Sequence, residues 1–286
     1  MKLIKPSFSI LEQKPGLEGV LSHIELCGRT AYKSEDKITT DSAPKFVEML
    51  TKRGHGAVLE HGTIYLKSET QLAMTSGITK ESMLFSRHRY NPYSVLTQDG
   101  HNFYITTNYR VLVENDWLDQ LEFQCEPIED HVKRISVKFL TDRGISHEFV
   151  RHRVFSFVQE STRYCNYSNE KFGGDLTFIE PLWLKDIPEI WHEFGDYQME
   201  RTDATQHYLD YIEIAEEGYL QLLKFGWSPQ QARSVLPNSL KTELIMTGTI
   251  EQWKGFFKLR CAPDAHPQAR ELAIPLEEEF KKLNLI

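Results

Sequence analysis

Hydrophobic positions switch along the chain between period-two and helical spacing, and the switches mark out its elements. Residues 2–10 alternate loosely and predict a first strand, which Pro15-Gly16 breaks. Ile24 to Tyr32 reads as a helix running into a polar turn. Asp41-Ser42 then predicts a cap for a helix through about Arg53, with Phe46, Met49 and Leu50 on one face. A helix is expected to end near His61 and a strand to begin at Thr63. Residues 78–102 are polar, aromatic and turn-rich, with Asn91-Pro92 and Asp99-Gly100 marking loops, and carry the least information about regular structure. Phe103 begins a strand that leads into a segment of helical character ending at Val113. Ile135 to Thr141 alternates and predicts a strand, and Gly144 opens a short helix through about Arg153.

The second half is more helical. After Gly173-Gly174, residues Leu176 to Ile179 form a short apolar strand pattern. Asp203 with Gln206 is a capping-box pattern ahead of a long helix that ends at Gly226, with Tyr208, Ile212, Ala215, Tyr219 and Leu222 on one side. Ser228-Pro229 starts another helix, with Pro in its first turn. Thr249 with Gln252 caps a further one, whose apolar stripe holds Trp253, Phe256, Phe257 and, unusually, Arg260. An Arg on such a stripe either pairs with a carboxylate, here Glu251 or Asp264, or acts on a ligand. A closing helix runs from Glu271. The order of elements predicts an α+β fold: one mixed domain over residues 1–286 with an antiparallel-type central sheet and a helical C-terminal part.

Composition narrows the function. The 286 residues are 40% hydrophobic, enough for a sizeable core. A net charge of −8 argues against a non-specific nucleic-acid binder, including an RNA-binding module, because such binding needs a basic footprint. Cys27, Cys125, Cys165 and Cys261 have no paired spacing, which suggests reduced thiols and neither a disulfide frame nor a zinc site. The start, Met-Lys-Leu-Ile-Lys-Pro, has no apolar leader core, and no run is long enough to span a membrane, so a cytoplasmic protein is expected. His147-Glu148 superficially suggests a zinc-protease helix, but the next His, His152, is five residues on and about 140° round the helix, so no metal is expected.

The chemistry concentrates between Arg151 and Tyr164: Arg-His-Arg-Val-Phe-Ser-Phe-Val-Gln-Glu-Ser-Thr-Arg-Tyr. Arg is the residue for bidentate recognition of phosphate. Val154, Phe155, Phe157 and Val158 pad the charges, which favours a partly buried anion site over a solvated basic face. Arg87-His88-Arg89 repeats the tripeptide without the residues that follow it, and reads as a surface decoy. Neither a Gly-x-Gly-x-x-Gly nor a Gly-Lys-Ser/Thr loop is present, so no dinucleotide fold is expected.

Arg151-His152-Arg153, seven residues, then Ser161-Thr162-Arg163-Tyr164 resembles the signature of the flavin-dependent thymidylate synthases. The resemblance covers roughly residues 20 to 272 and includes Arg233 in Ala-Arg-x-Val-Leu-Pro, Arg260 in Leu-Arg, and His266. It implies a homotetramer with active sites shared between subunits, binding FAD without a Rossmann fold. It also implies synthesis of dTMP from dUMP, with methylenetetrahydrofolate as carbon donor and NADPH as reductant. By resemblance His61, Thr63, Arg151, His152, Arg153, Gln159 and His266 are expected at FAD. Glu148, Arg151, Gln159, Glu160, Ser161, Arg163, Arg233 and Arg260 are expected around dUMP, with Arg260 catalytic. The chain departs from the family where Val158-Gln159-Glu160-Ser161 replaces Asn-Glu-x-Ser, where Gly255 and Thr249 replace flavin-contacting Asn residues, in two extra residues before His266, and in its length, for which residues 78–102 are a candidate insertion. The alternative of another class is a non-catalytic nucleotide-binding or regulatory homologue that has lost flavin, which Gly255 and Val158 favour.

Overall fold

The computed structural model describes residues 1–69, 79–100, 102–169, 175–184 and 202–286, with the short strands Glu189–Ile190, Glu193–Phe194 and Tyr197–Gln198. Gly173-Gly174, and residues 78 and 101 of the turn-rich stretch, lie outside the described residues. The fold is mixed α and β. Pro6 separates two strands, β1 (Lys2–Ile4) and β2 (Ser7–Leu11), where one was expected. Helix α1 (Gly16–Tyr32) starts eight residues before the apolar pattern suggested. Then come α2 (Ala43–Lys52), α3 (Gly56–Leu59) and β3 (Thr63–Glu69). Ser42 occupies the start of α2 but does not cap it; its hydroxyl donates to Glu25 at 2.7 Å.

Turns fall at Asn91-Pro92 and Asp99-Gly100 as expected, and regular elements surround them. These are α4 (Lys80–Arg89) and β4 (Val95–Asp99), followed by β5 (Asn102–Asn108) and α5 (Tyr109–Glu114). Thr79 and Ser82 form a reciprocal capping box for α4. Strands β3, β5 and β4 make an antiparallel sheet in that order. The decoy tripeptide ends α4, but His88 is not at the surface. It is buried and bonded to Ser94 (2.8 Å) and Gln120 (2.7 Å).

The central sheet has four antiparallel strands in the order β2, β6, β9, β7, where β6 is Arg134–Asp142, β7 is Ser156–Gln159 and β9 is Lys241–Thr249. Between them lie α6 (Arg143–Phe149), β8 (Thr177–Ile179), α7 (Ala204–Lys224) and α8 (Pro229–Ala232). Two helices close the chain, α9 (Ile250–Arg260) and α10 (Pro267–Lys282). Helix α6 stops at Phe149, so Arg151-His152-Arg153 lies in the turn beyond it and not on the helix as expected. The Thr249/Gln252 capping box forms as the spacing predicted, with bonds of 2.7 and 3.3 Å.

Alternation along the strands gives the sheet two different buried faces. Val137, Phe139, Leu244 and Met246 point to one face and pack with Phe149, Trp253, Phe256, Phe257 and Phe280 of α6, α9 and α10. Each such side chain stabilises by roughly 1.5–3 kcal/mol on burial. Their neighbours Ser136, Lys138, Glu243 and Thr247 point the other way, toward α1 and α3, and form a buried polar layer. Its centre is Glu243, which takes Lys241 at 2.8 Å, Lys33 at 2.6 Å and Lys138. Burial alone would push the Glu243 carboxyl up, but Lys241 and the bonds from Lys138 and Lys33 override it and hold it down at about 2.

Because that value lies below the ordinary 4.5, the stabilisation from Glu243 is complete above pH 4.5 and is lost as pH falls toward 2. Glu243→Gln leaves three lysines around a neutral amide. It should cost about 3–5 kcal/mol at neutral pH in urea unfolding and flatten the acid limb between those values. A loss under about 1 kcal/mol would mean that water screens the cluster.

Candidate active site

Two strand ends and two helix ends bring the expected residues into three groups. The first is built around Arg260, the last residue of α9. Its Nε donates to His152 Nε2 at 3.0 Å, one terminal nitrogen to the Glu148 carboxylate at 2.7 Å, and the other to the Glu148 carbonyl at 2.6 Å. The carboxylate partner is therefore neither Glu251, which takes Lys254, nor Asp264. One N–H on each terminal nitrogen remains for a substrate, since guanidinium carries five donors. His152 accepts on Nε2, which leaves the proton on Nδ1. Burial first, then the Arg260 charge, lowers its pKa to about 4. Gln159 faces the same side of the sheet, where its amide donates to Ser146 (2.9 Å) and Thr242 (3.2 Å). Glu148 and His266 line one small cavity of about 270 Å³ with Trp183, Tyr208 and Gln268.

The second group is Ser161, Arg163 and Arg233. Arg163 donates to Gln230 at 3.1 Å, and Arg233 donates to Thr162 at 3.3 Å. The signature turn is thus laced to the start of α8 and the turn after it, some seventy residues on. Both guanidiniums are exposed. Ser161 Oγ accepts from the Arg163 backbone N–H at 3.3 Å, with no base beside it to activate it as a nucleophile.

The third group surrounds a cavity of about 620 Å³, within the size range of cofactor sites. Arg153, Phe155, Ser156 and Phe157 line it from the signature segment, and Thr249 and Gln252 from the start of α9. Glu60, Thr106 and Arg134 also line it, and none of the three was a site candidate from the sequence. Thr106 Oγ1 is buried without a hydrogen-bond partner, and Arg134 bonds only uncharged oxygens: Glu60 O, Thr63 Oγ1 and Ser156 Oγ. A surplus of donors around a roomy cavity suits a ligand bearing phosphates, so the residues fit a flavin nucleotide.

Other expected residues sit outside these groups. Glu160 is buried in the polar layer, bonded to Lys241 (2.8 Å) and Tyr167 (2.9 Å). His61 is fully buried, its Nδ1 2.7 Å from Thr247 Oγ1; Thr247 meets Ser136 at 2.6 Å, and Ser136 meets His23 at 2.9 Å. Thr63 bonds Arg134 of the third group and also lines a cavity of about 670 Å³ between the β2–α1 loop, β3 and the C-terminus. Arg151 is exposed beside the Arg260 group.

Residues 126–284 match the family model for thymidylate synthase complementing protein. The flavin-dependent thymidylate synthase of Mycolicibacterium gilvum is 31% identical over 134 residues, 46% of this chain and 51% of that one. The flavin-dependent thymidylate synthase of Pyrococcus furiosus is 29% identical over 140 residues, 49% and 51%. The chain spans about half the length of the curated relatives it matches. Among solved structures, the UMP/dUMP methylase PolB of Streptomyces cacaoi bound with 5-Br dUMP is 18% identical over 99% of this chain and 93% of that one, with a TM-score of 0.45.

The buried imidazoles make the site's proton inventory testable. Burial, followed by neighbouring positive charge, lowers His61 to about 3 and His23 to about 4. His152, His23 and His61 should therefore stay neutral from pH 8 to 5 when followed by NMR. A depressed imidazole pKa means that the unfolded chain protonates first, so stability should fall as pH drops from 6.5 toward 4. A His152 signal titrating near 6.5 would contradict its contact with Arg260.

Proposed function

The chain belongs to the thymidylate synthase complementing protein family, and on that premise we propose that it is a flavin-dependent thymidylate synthase, a methyltransferase converting dUMP to dTMP. In this reading FAD carries the hydride, methylenetetrahydrofolate donates the carbon and NADPH is the reductant. The observation that carries it is the lacing of Ser161-Thr162-Arg163 to Gln230 and Arg233, a pair of guanidiniums beside a hydroxyl and suited to one phosphate. A homotetramer built from a single-domain chain, residues 1–286, belongs to the same reading.

Each group has a part. Arg163, Arg233 and Ser161 hold the dUMP phosphate. The Gln159 amide and the Glu148 carboxylate orient the nucleoside, and Arg260 meets the uracil ring. Arg260 remains charged at any working pH, so it is not the base. Its charge favours ionisation of the pyrimidine N3–H and stabilises negative charge on the ring in the transition state. Neutral His152 and the Glu148 carboxylate and carbonyl fix the plane of the guanidinium, and with it the directions of its two remaining N–H groups. Arg151, Arg153 and the 620 Å³ cavity face the flavin. Flavin held there and reduced by NADPH would supply the hydride, so no cysteine nucleophile is required.

The direct experiment is anaerobic turnover of dUMP with methylenetetrahydrofolate, NADPH and FAD, on protein that should purify yellow or take up FAD. Colourless protein with no turnover sinks the enzymatic reading and leaves a nucleotide-binding homologue. Arg163→Ala should weaken dUMP roughly tenfold to hundredfold while barely affecting deoxyuridine, measured by calorimetry. Equal losses for both ligands would make Arg163 structural.

Arg260→Lys keeps the charge but loses the fork that reaches His152 and both Glu148 oxygens. The rate of dTMP formation should fall at least about a hundredfold, with FAD content and thermal midpoint nearly unchanged. A near-parental rate in protein that binds both ligands would remove Arg260 from the chemistry.

A further inference from the structure

Arg134 is a costly residue where it stands. It opens β6, and its side chain lies on the polar face of the central sheet, partly buried. Burial disfavours its charge and lowers its pKa to about 10, despite the nearby Tyr65 and Glu60. An arginine so placed normally takes a carboxylate. Arg134 instead donates to the Glu60 carbonyl (3.0 Å), Thr63 Oγ1 (3.3 Å) and Ser156 Oγ (3.2 Å). The Glu60 carboxylate turns away to Arg110 at 2.6 Å.

A second anomaly faces the same cavity. Thr106 is buried on β5, and its hydroxyl has no partner. A buried hydroxyl left unbonded forfeits its hydration with nothing in return. Arg153 supplies another guanidinium to this cavity, and Pro92, Tyr93 and Val95 form part of its wall. Among the cavity's charged residues, Glu60 is already paired, so the two arginines leave an uncompensated positive charge.

We propose that Arg134, Thr106 and Arg153 form a phosphate-binding subsite in the 620 Å³ cavity, walled by the Pro92–Val95 segment. Resting on the flavoenzyme reading above, the subsite takes the phosphate-bearing end of FAD. The α4–β4–β5 segment then has a binding role: it brings Thr106 and the Pro92–Val95 wall to a cavity whose other side is the signature segment.

The test uses the full-length protein and four probes: FAD, FMN, riboflavin and inorganic pyrophosphate, titrated by flavin fluorescence and calorimetry. Thr106→Val removes the unpaired hydroxyl at nearly constant volume, so its thermal midpoint should hold or rise. It should nonetheless weaken FAD and FMN about threefold to tenfold. Arg134→Gln should weaken them at least about tenfold, and Arg134→Lys should recover part of the loss. Riboflavin, which has no phosphate, should bind all variants alike. If the parent binds FAD and both Thr106→Val and Arg134→Gln match it, the subsite is refuted while the flavin reading stands. If riboflavin weakens as much as FAD, the residues hold the ring and the phosphate assignment is refuted. If the parent takes up no flavin but binds pyrophosphate in an Arg134-dependent way, the subsite survives and the flavin reading does not.

Discussion

A four-stranded sheet buried on both faces, one apolar and one polar, is the constraint from which the rest of this structure follows. The apolar face packs against α6, α9 and α10 as an ordinary core would. The polar face keeps some apolar contact through Val158, but its charged and polar groups depend on partners. Glu243 gathers Lys33, Lys138 and Lys241; Glu160 takes Lys241 and Tyr167; His61, Thr247, Ser136 and His23 form a chain. Removing one member strands the others, which gives the layer a specificity that a greasy interface would lack. The same layer carries Arg134 and Ser156 to its edge, where it opens into the 620 Å³ cavity.

The arginines divide by environment. Arg260 is tied at three points, so its orientation is set by the protein's own groups. Arg163 and Arg233 are exposed and bond neutral oxygens, with Arg163 also over the Tyr164 ring at 5.3 Å, which leaves their charge unpaired by these contacts. Arg134 is desolvated without a carboxylate partner, an expensive state that a bound anion would relieve. Three environments thus suit one residue type to orientation, capture and deep binding.

Much of this was legible in the sequence and some was not. The capping pair Thr249/Gln252 and the apolar stripe of Trp253, Phe256 and Phe257 placed α9 correctly, because both signals are local. The alternation of Ile135 to Thr141 gave the strand, but alternation does not say whether the polar face meets water or a second buried layer. Arg134, Ser136 and Lys138 therefore carried no visible signal of burial. Residues 78–102 gave no sign of α4 or β4 because polar and turn residues dominate them. Leu84, Phe103 and Ile105 pack with the α1–α2 core, and that tertiary packing outweighs weak local propensity. The end of α6 at Phe149 was missed because Val150 to Arg153 contains no helix breaker.

The fixed spacing of the signature follows from this geometry. After α6, a turn closed by Phe155 N–H on the His152 carbonyl delivers the chain to β7. That strand is four residues long, and its pairing with β9 sets Ser156 against Thr247 and Gln159 against Leu244. Ser156 consequently faces the polar layer and Arg134, whereas Gln159 faces Ser146 and the Arg260 side. One residue later the chain leaves the strand, and Glu160 drops into the lysine cluster while Ser161 N–H bonds the Ala31 carbonyl. One inserted or deleted residue between Arg153 and Gln159 would exchange the two faces, since side chains alternate with period two. Gln159 would then enter the polar layer and Ser156 would leave Arg134. The seven-residue gap between Arg153 and Ser161 is thus the length of one turn and one short strand whose parity must serve the two faces of the sheet together.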